Sequence, residues 1–171
     1  MAMCQQTGPD NQPYLAGVTP EFTPEQHREL ARRSGIPDEL HDVLGWAGVS
    51  PLAAKMGIRF TELTAQRCVA TMPVAGNEQP AGLLHGGAHL VLAETLGSVA
   101  AKLHAGPGRE VVGIEIGATH HAAVRSGLVT GTATALKLGG TLVSHEVVMT
   151  DEDGRRLSTA RITNLVLQPR G

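Results

Sequence analysis

The stretch Ala88–Leu103 constrains the fold more than any other part of the chain. Val91, Leu92, Leu96, Val99 and Leu103, with Ala93 and Ala100, leave little polar surface around a helical turn. A helix that is apolar on nearly all sides has to be covered on nearly all sides. It cannot find that cover in a bilayer, because it is too short to span one and is interrupted by His89, Glu94 and Lys102. The sequence behind it supplies the cover. Gly106-Pro107-Gly108 ends the helix, and Val112, Ile114, Ile116 and Ala118 then alternate along Val111–His120. Leu128–Leu136 keeps the same period with threonines, and Thr141–Thr150 is β-branched. Leu157–Leu167 closes the series, with turns at Gly139-Gly140 and Asp153-Gly154. One buried helix followed by a run of antiparallel strands predicts an α+β fold with the sheet wrapped round the helix.

Upstream, Gly57–Glu62 and Arg67–Met72 read as two short strands, and Pro73–Gly82 as a loop. Thr23-Pro24-Glu25-Gln26 is a helix start with a capping box, running to about Arg33 before Gly35 and Pro37 break it. A second short helix is expected over Asp38–Leu44. This divides the chain into a flexible tail (1–22), a helical extension (23–47) and one domain (48–168). A length of 171 residues and a hydrophobic content of 42% suit a single packed core.

A formal net charge of -2 with no basic stripe argues against nucleic acid as a partner. The four aromatics, Tyr14, Phe22, Trp46 and Phe60, all precede the helix and offer no stacking platform there. Cys4 and Cys68 are two isolated thiols, which fits a reducing compartment; with no signal peptide at Met1–Pro20, the cytoplasm is expected.

Glu94 sits in the middle of the apolar helix. A buried carboxylate has to be paired, hydrogen-bonded or protonated, and its cost suggests a purpose. Ser98 follows at i+4, within reach of the carboxylate. Gly97 stands where Ala would favour the helix by ~1 kcal/mol, leaving room for a ligand or another backbone. His85-Gly86-Gly87 leads into the helix, and its free N–H groups suit an oxyanion. A carbonyl held at the helix start with a carboxylate two turns on is a layout for acyl transfer. The structural alternative is an ion pair between Glu94 and an arginine across a subunit contact.

The run from Gln79-Pro80-Ala81-Gly82 through His85-Gly86-Gly87-Ala88-His89 to Ala93-Glu94-Thr95-Leu96-Gly97-Ser98 resembles the signature of hotdog-fold thioesterases. The similarity is to the branch with a catalytic glutamate, which holds phenylacetate-pathway and 4-hydroxybenzoyl-CoA thioesterases and the proofreading thioesterase of the enterobactin pathway. Val111–His121, Val124-Arg125-Ser126-Gly127 and Asp151–Arg156 extend the resemblance, which covers roughly 48–168. It implies a hotdog fold and hydrolysis of an aryl- or acyl-CoA or acyl-carrier thioester. Glu94 would be nucleophile or general base, and the Gly86 N–H would polarise the carbonyl. Gln79 would orient the thioester or water, Ser98 would hold the carboxylate or water, and His85 would help position the acyl group. Gly87, His89, Thr95 and Arg125 would complete the substrate site. CoA enters as substrate, no metal or other cofactor is implied, and the sites lie at the interface of a homodimer, often within a homotetramer. The chain departs from the pattern at His89, where the family carries a small residue, and in its longer N-terminal extension.

Other readings compete. His85 and His89 are spaced i, i+4 like two zinc ligands, but HExxH is absent and Gly86-Gly87 makes an irregular first turn. His120 and His121 are strand neighbours pointing to opposite faces, and read as strand-end or interface residues. Arg109, Arg125 and Lys137 are candidates for CoA phosphates or plain solvated charges. A non-catalytic acyl-CoA sensor and a hydratase or dehydratase on the same scaffold remain open alternatives.

Overall fold

The computed structural model describes residues 23–44 and 48–167. The tail over 1–22 and the end of the extension at 45–47, with Trp46, lie outside the described residues. Helix α1 spans Pro24–Arg33, α2 His41–Leu44, α3 Pro51–Lys55 and α4 Gly86–Ala105. Strands β1 (Arg59–Leu63) and β2 (Arg67–Pro73) precede α4; β3 (Val111–His120), β4 (Leu128–Leu138), β5 (Leu142–Thr150) and β6 (Arg156–Val166) follow it.

The capping box of α1 forms as its sequence predicts. The Thr23 hydroxyl accepts from Gln26 N–H at 3.2 Å, and the Gln26 side-chain Oε1 accepts from Thr23 N–H at 2.7 Å. Helix α3 was not legible as an element. It is one short stretch capped by Ser50, with too few residues to display a period.

All six strands form one antiparallel sheet in the order β1-β2-β4-β5-β6-β3. The sheet curls round α4, whose Leu92, Ala93, Leu96 and Ala100 are fully buried. Alternate residues of β5, Val143, His145, Val147 and Met149, face inward with Leu157, Ala160, Ile162 and Asn164 of β6. The α+β arrangement read from the sequence is therefore the observed one. What the sequence left unstated is that β3 abandons its chain neighbour β4 and pairs with β6. That puts β3 at one end of the sheet, with its second edge unpaired among the described residues.

Two details differ from expectation. Helix α4 begins at Gly86, so both glycines belong to a regular first turn. His85 makes this possible: its Nδ1 accepts from Gly87 N–H at 2.8 Å and caps the helix. The room left by Gly97 is filled by the sheet, since a Cβ there would overlap Cγ2 of Ile162 on β6. No helix among the described residues is long and apolar enough to cross a membrane.

Candidate active site

Glu94 points from the middle of α4 toward β3. Its carboxylate lies so close to the strand that a Cβ on Gly113 would stand 2.6 Å from Oε1. Gly113 sits beside the register shift between Gly113 and Glu115, where β3 departs from regular pairing with β6. The irregular strand and the missing side chain together make the recess for the carboxylate.

Burial pushes the Glu94 carboxyl above the usual carboxylate range, and the Ser98 hydroxyl pulls it partly back. No cation among the described residues offsets the burial. Ser98 Oγ is 3.4 Å from Glu94 Oε1 and 3.2 Å from Asn164 Oδ1. Its single proton thus has two acceptors. Asn164 is fully buried on β6, and its Nδ2 donates to Gly97 O at 3.4 Å. The Glu94–Ser98–Asn164 chain ties the carboxylate to the sheet.

At the start of α4 the N–H groups are not equivalent. Gly87 N–H donates to His85 Nδ1, and Ala88 N–H donates to His85 O at 2.9 Å. Gly86 N–H has no partner among the described residues. Of the N–H groups at the helix start, the one left without a partner among the described residues is that of Gly86.

The remaining predicted residues separate. Gln79 belongs to the loop before α4, its backbone fixed by Gln79 N–H to Leu83 O at 2.7 Å and Gly82 N–H to Gln79 O at 2.9 Å. His85 is exposed with one ring nitrogen spent on capping. Thr95 turns its hydroxyl back to Val91 O at 2.7 Å. Arg125 is exposed and donates to Ala81 O at 3.2 Å, bracing the loop that carries Gln79. His89 is 4% exposed and turned inward, with Nδ1 2.9 Å from Ser158 Oγ. Arg109 caps the other end of α4, donating to Ala105 O at 2.9 Å.

Gly113 and Asn164 escape the sequence reading, and His120 reads there only as a strand-end or interface residue. The His120 ring lies over the helix start, its Nε2 3.0 Å from where a Cβ on Gly86 would stand. The face-alternation rule that separates His120 from His121 holds, since His121 instead bonds Thr159 Oγ1 at 3.0 Å. No sequence signal says which of the two faces the helix. Among the described residues no group of three His, Cys, Asp or Glu side chains could hold a metal ion.

Residues 81–158 match the family model of the thioesterase superfamily. The proofreading thioesterase EntH of Cronobacter turicensis is 45% identical over 127 residues, 74% of this chain and 93% of that protein. The chain belongs to the thioesterase superfamily. The EntH of Klebsiella pneumoniae is 50% identical over 117 residues, 68% of this chain and 85% of that protein. Among solved structures, the thioesterase HI1161 of Haemophilus influenzae superposes with a TM-score of 0.69 at 31% identity, over 89% of this chain and 95% of that one. The sheet wrapped round α4 is thus the hotdog fold, and thioester hydrolysis is the activity that membership carries.

Proposed function

We propose that the protein hydrolyses an aryl- or acyl-CoA thioester, or the matching acyl-carrier thioester, with Glu94 as the catalytic carboxylate. The observation that carries this is a half-buried carboxylate with no cationic partner among the described residues, set in a recess beside Gly113. An ion pair, the structural alternative read from the sequence, is not formed within the described residues.

The thioester carbonyl oxygen accepts from Gly86 N–H at the positive end of α4, where negative charge is stabilised as the carbonyl carbon becomes tetrahedral. Glu94 either takes a proton from water as the water oxygen bonds to that carbon, or bonds to the carbon itself and is freed by water afterwards. In the first route the carbon–sulfur bond breaks and the proton on Glu94 passes to the departing sulfur; in the second the sulfur leaves as thiolate, and the water that opens the anhydride supplies both its proton and the hydroxyl of the acid. Ser98 holds the carboxylate or the water, and Gln79 orients the thioester. His85 helps position the acyl group, while Thr95 and the backbone of Gly87 line its path. Arg125 sits where an exposed guanidinium can meet CoA phosphate. No metal or other cofactor has a part in this scheme, and we place the reaction in the cytoplasm, where Cys68 stays a thiol.

A homodimer, or a tetramer of two such dimers, is part of the proposal. Strand β3 leaves a long edge unpaired, with Ile114 54% exposed, and such an edge favours pairing with a second chain. Pairing there would bring a second copy beside the Glu94 recess. Light scattering that shows only monomer would contradict it.

The test is thiol release from a panel of aryl- and alkyl-CoA esters, wild type beside Glu94→Gln. Release that vanishes in a folded Glu94→Gln protein is the expected result. Full activity in that variant would remove Glu94 from its role.

A further inference from the structure

Underneath the carbonyl subsite lies a second histidine that the proposed mechanism does not use. His89 follows His85 by one turn of α4, but the two rings do different work. The His85 ring caps the helix from outside, whereas the His89 ring is buried against the sheet. Its Nδ1 is 2.9 Å from the hydroxyl of Ser158, a fully buried residue of β6. Ser158 is also the cross-strand partner of His120 on β3. The rings of His89 and His120 stand 5.1 Å apart, inclined by 55°. The three residues close a triangle: one hydrogen bond, one strand pairing and one ring contact. Its outward corner is the His120 ring over Gly86.

We infer that His89 is a positioning residue, which with Ser158 fixes the His120 ring beside the Gly86 N–H and so shapes the subsite for the thioester carbonyl. The inference rests on the proposed thioesterase reading for its consequence in catalysis, though not for its geometry. Within one chain His120 is at the end of an edge strand and exposed, so the contact from His89 is the support that its own chain gives the ring from below. A ring free to turn would sweep the space in which the carbonyl must sit. His89 resists that from below and is itself anchored. Burial, aided by the neighbouring His120, pushes the His89 ring down to about 4, so at neutral pH it is an uncharged prop. Where the Ser158 hydroxyl donates to Nδ1, the ring proton sits on Nε2.

A double-mutant cycle reads this directly. His89→Ala lowers kcat by about ten- to a hundredfold, the scale for a misplaced site, with KM little changed. Ser158→Ala, which leaves no comparable cavity, moves kcat in the same direction by less. In a His120→Ala background, His89→Ala has no further effect on kcat. Loss in that background equal to the loss in wild type would overturn the proposal and leave His89 merely structural. The ring resonances of His120, followed by NMR in protein labelled at histidine, give a readout that needs no turnover. They shift and broaden in His89→Ala and in Ser158→Ala if the ring is released; unchanged resonances in both would overturn the proposal. Wild-type protein that releases no thiol from any ester would count against the thioesterase reading alone, and the resonances would still decide the role of His89.

Discussion

Glu94 and Lys102 stand about two turns apart on the same apolar helix, and the sheet treats them in opposite ways. Lys102 is 6% exposed, and its ammonium donates to Glu110 at 2.7 Å and to Arg109 O at 2.6 Å. Every feature at that end of α4 closes it: Arg109 caps the last turn, and Ala101, Ala105, Val143 and Val166 pack a small cluster of their own. Glu94 is less buried but has no counter-charge among the described residues, and its hydrogen-bond partner Ser98 is shared with Asn164. A charge that the fold satisfies serves stability. A charge that the fold shelters without satisfying is available for chemistry, at a cost in stability.

The largest expected effect tests that division. Glu94→Gln should lower kcat by about a thousandfold or more, the upper range for a lost acid–base group, with the circular dichroism spectrum unchanged. Lys102→Ala should do the reverse. It leaves Glu110 without its partner, costs about 2–3 kcal/mol, and lowers Tm by ~5–10 °C at full kcat. If instead Lys102→Ala abolished turnover in a folded protein, the two ends of α4 would not be separable.

The division was half visible beforehand. Lys102 and Glu94 both interrupt the same apolar run, and nothing local tells which is paired. The motif around His85 and Glu94 marked the helix start, because capping and spacing are local. Glu110, Asn164 and Gly113 were not legible as partners. Asn164 and Gly113 reach their places through strand pairing, above all through β3 crossing to β6 instead of β4, and Glu110 stands just ahead of β3 with its carbonyl accepting from Leu167 N–H at 2.8 Å. The surroundings of His89 were hidden for the same reason: its neighbour Ser158 lies on a distant strand.

Protonation sharpens the comparison at His89. Its folded value of about 4 lies below the ordinary 6.5, so in the window between them the unfolded chain binds more protons. Stability from this site is therefore present above pH 6.5 and lost as pH falls toward 4, by about 3 kcal/mol in total. Urea denaturation at stepped pH should show the decline, and His89→Gln should flatten it. An equally steep decline in the variant would put the acid sensitivity elsewhere, with His145 the next buried, depressed histidine.

Ser98→Ala should have a moderate effect, a loss of kcat of roughly five- to tenfold, since one hydrogen bond to a charged group is removed while Glu94 remains. It should also move the acidic limb of the pH–rate profile upward, because Ser98 is what lowers the Glu94 carboxyl against its burial. A limb that stays put would detach Ser98 from the carboxylate.

The smallest effect is the most direct measure of what sheltering Glu94 costs. Its folded value is raised, so above the ordinary 4.5 the folded state binds more protons than the unfolded one, and stability falls as pH climbs through that window. This slope is opposite in sign to that of His89. Glu94→Gln removes the ionisation and should be slightly more stable than wild type at neutral pH, by an amount that shrinks to nothing as both are taken below pH 4.5. Paired melting curves at neutral and acid pH decide it. A Glu94→Gln protein that is less stable at neutral pH would mean the carboxylate holds the fold together, and the contrast between the two ends of α4 would collapse.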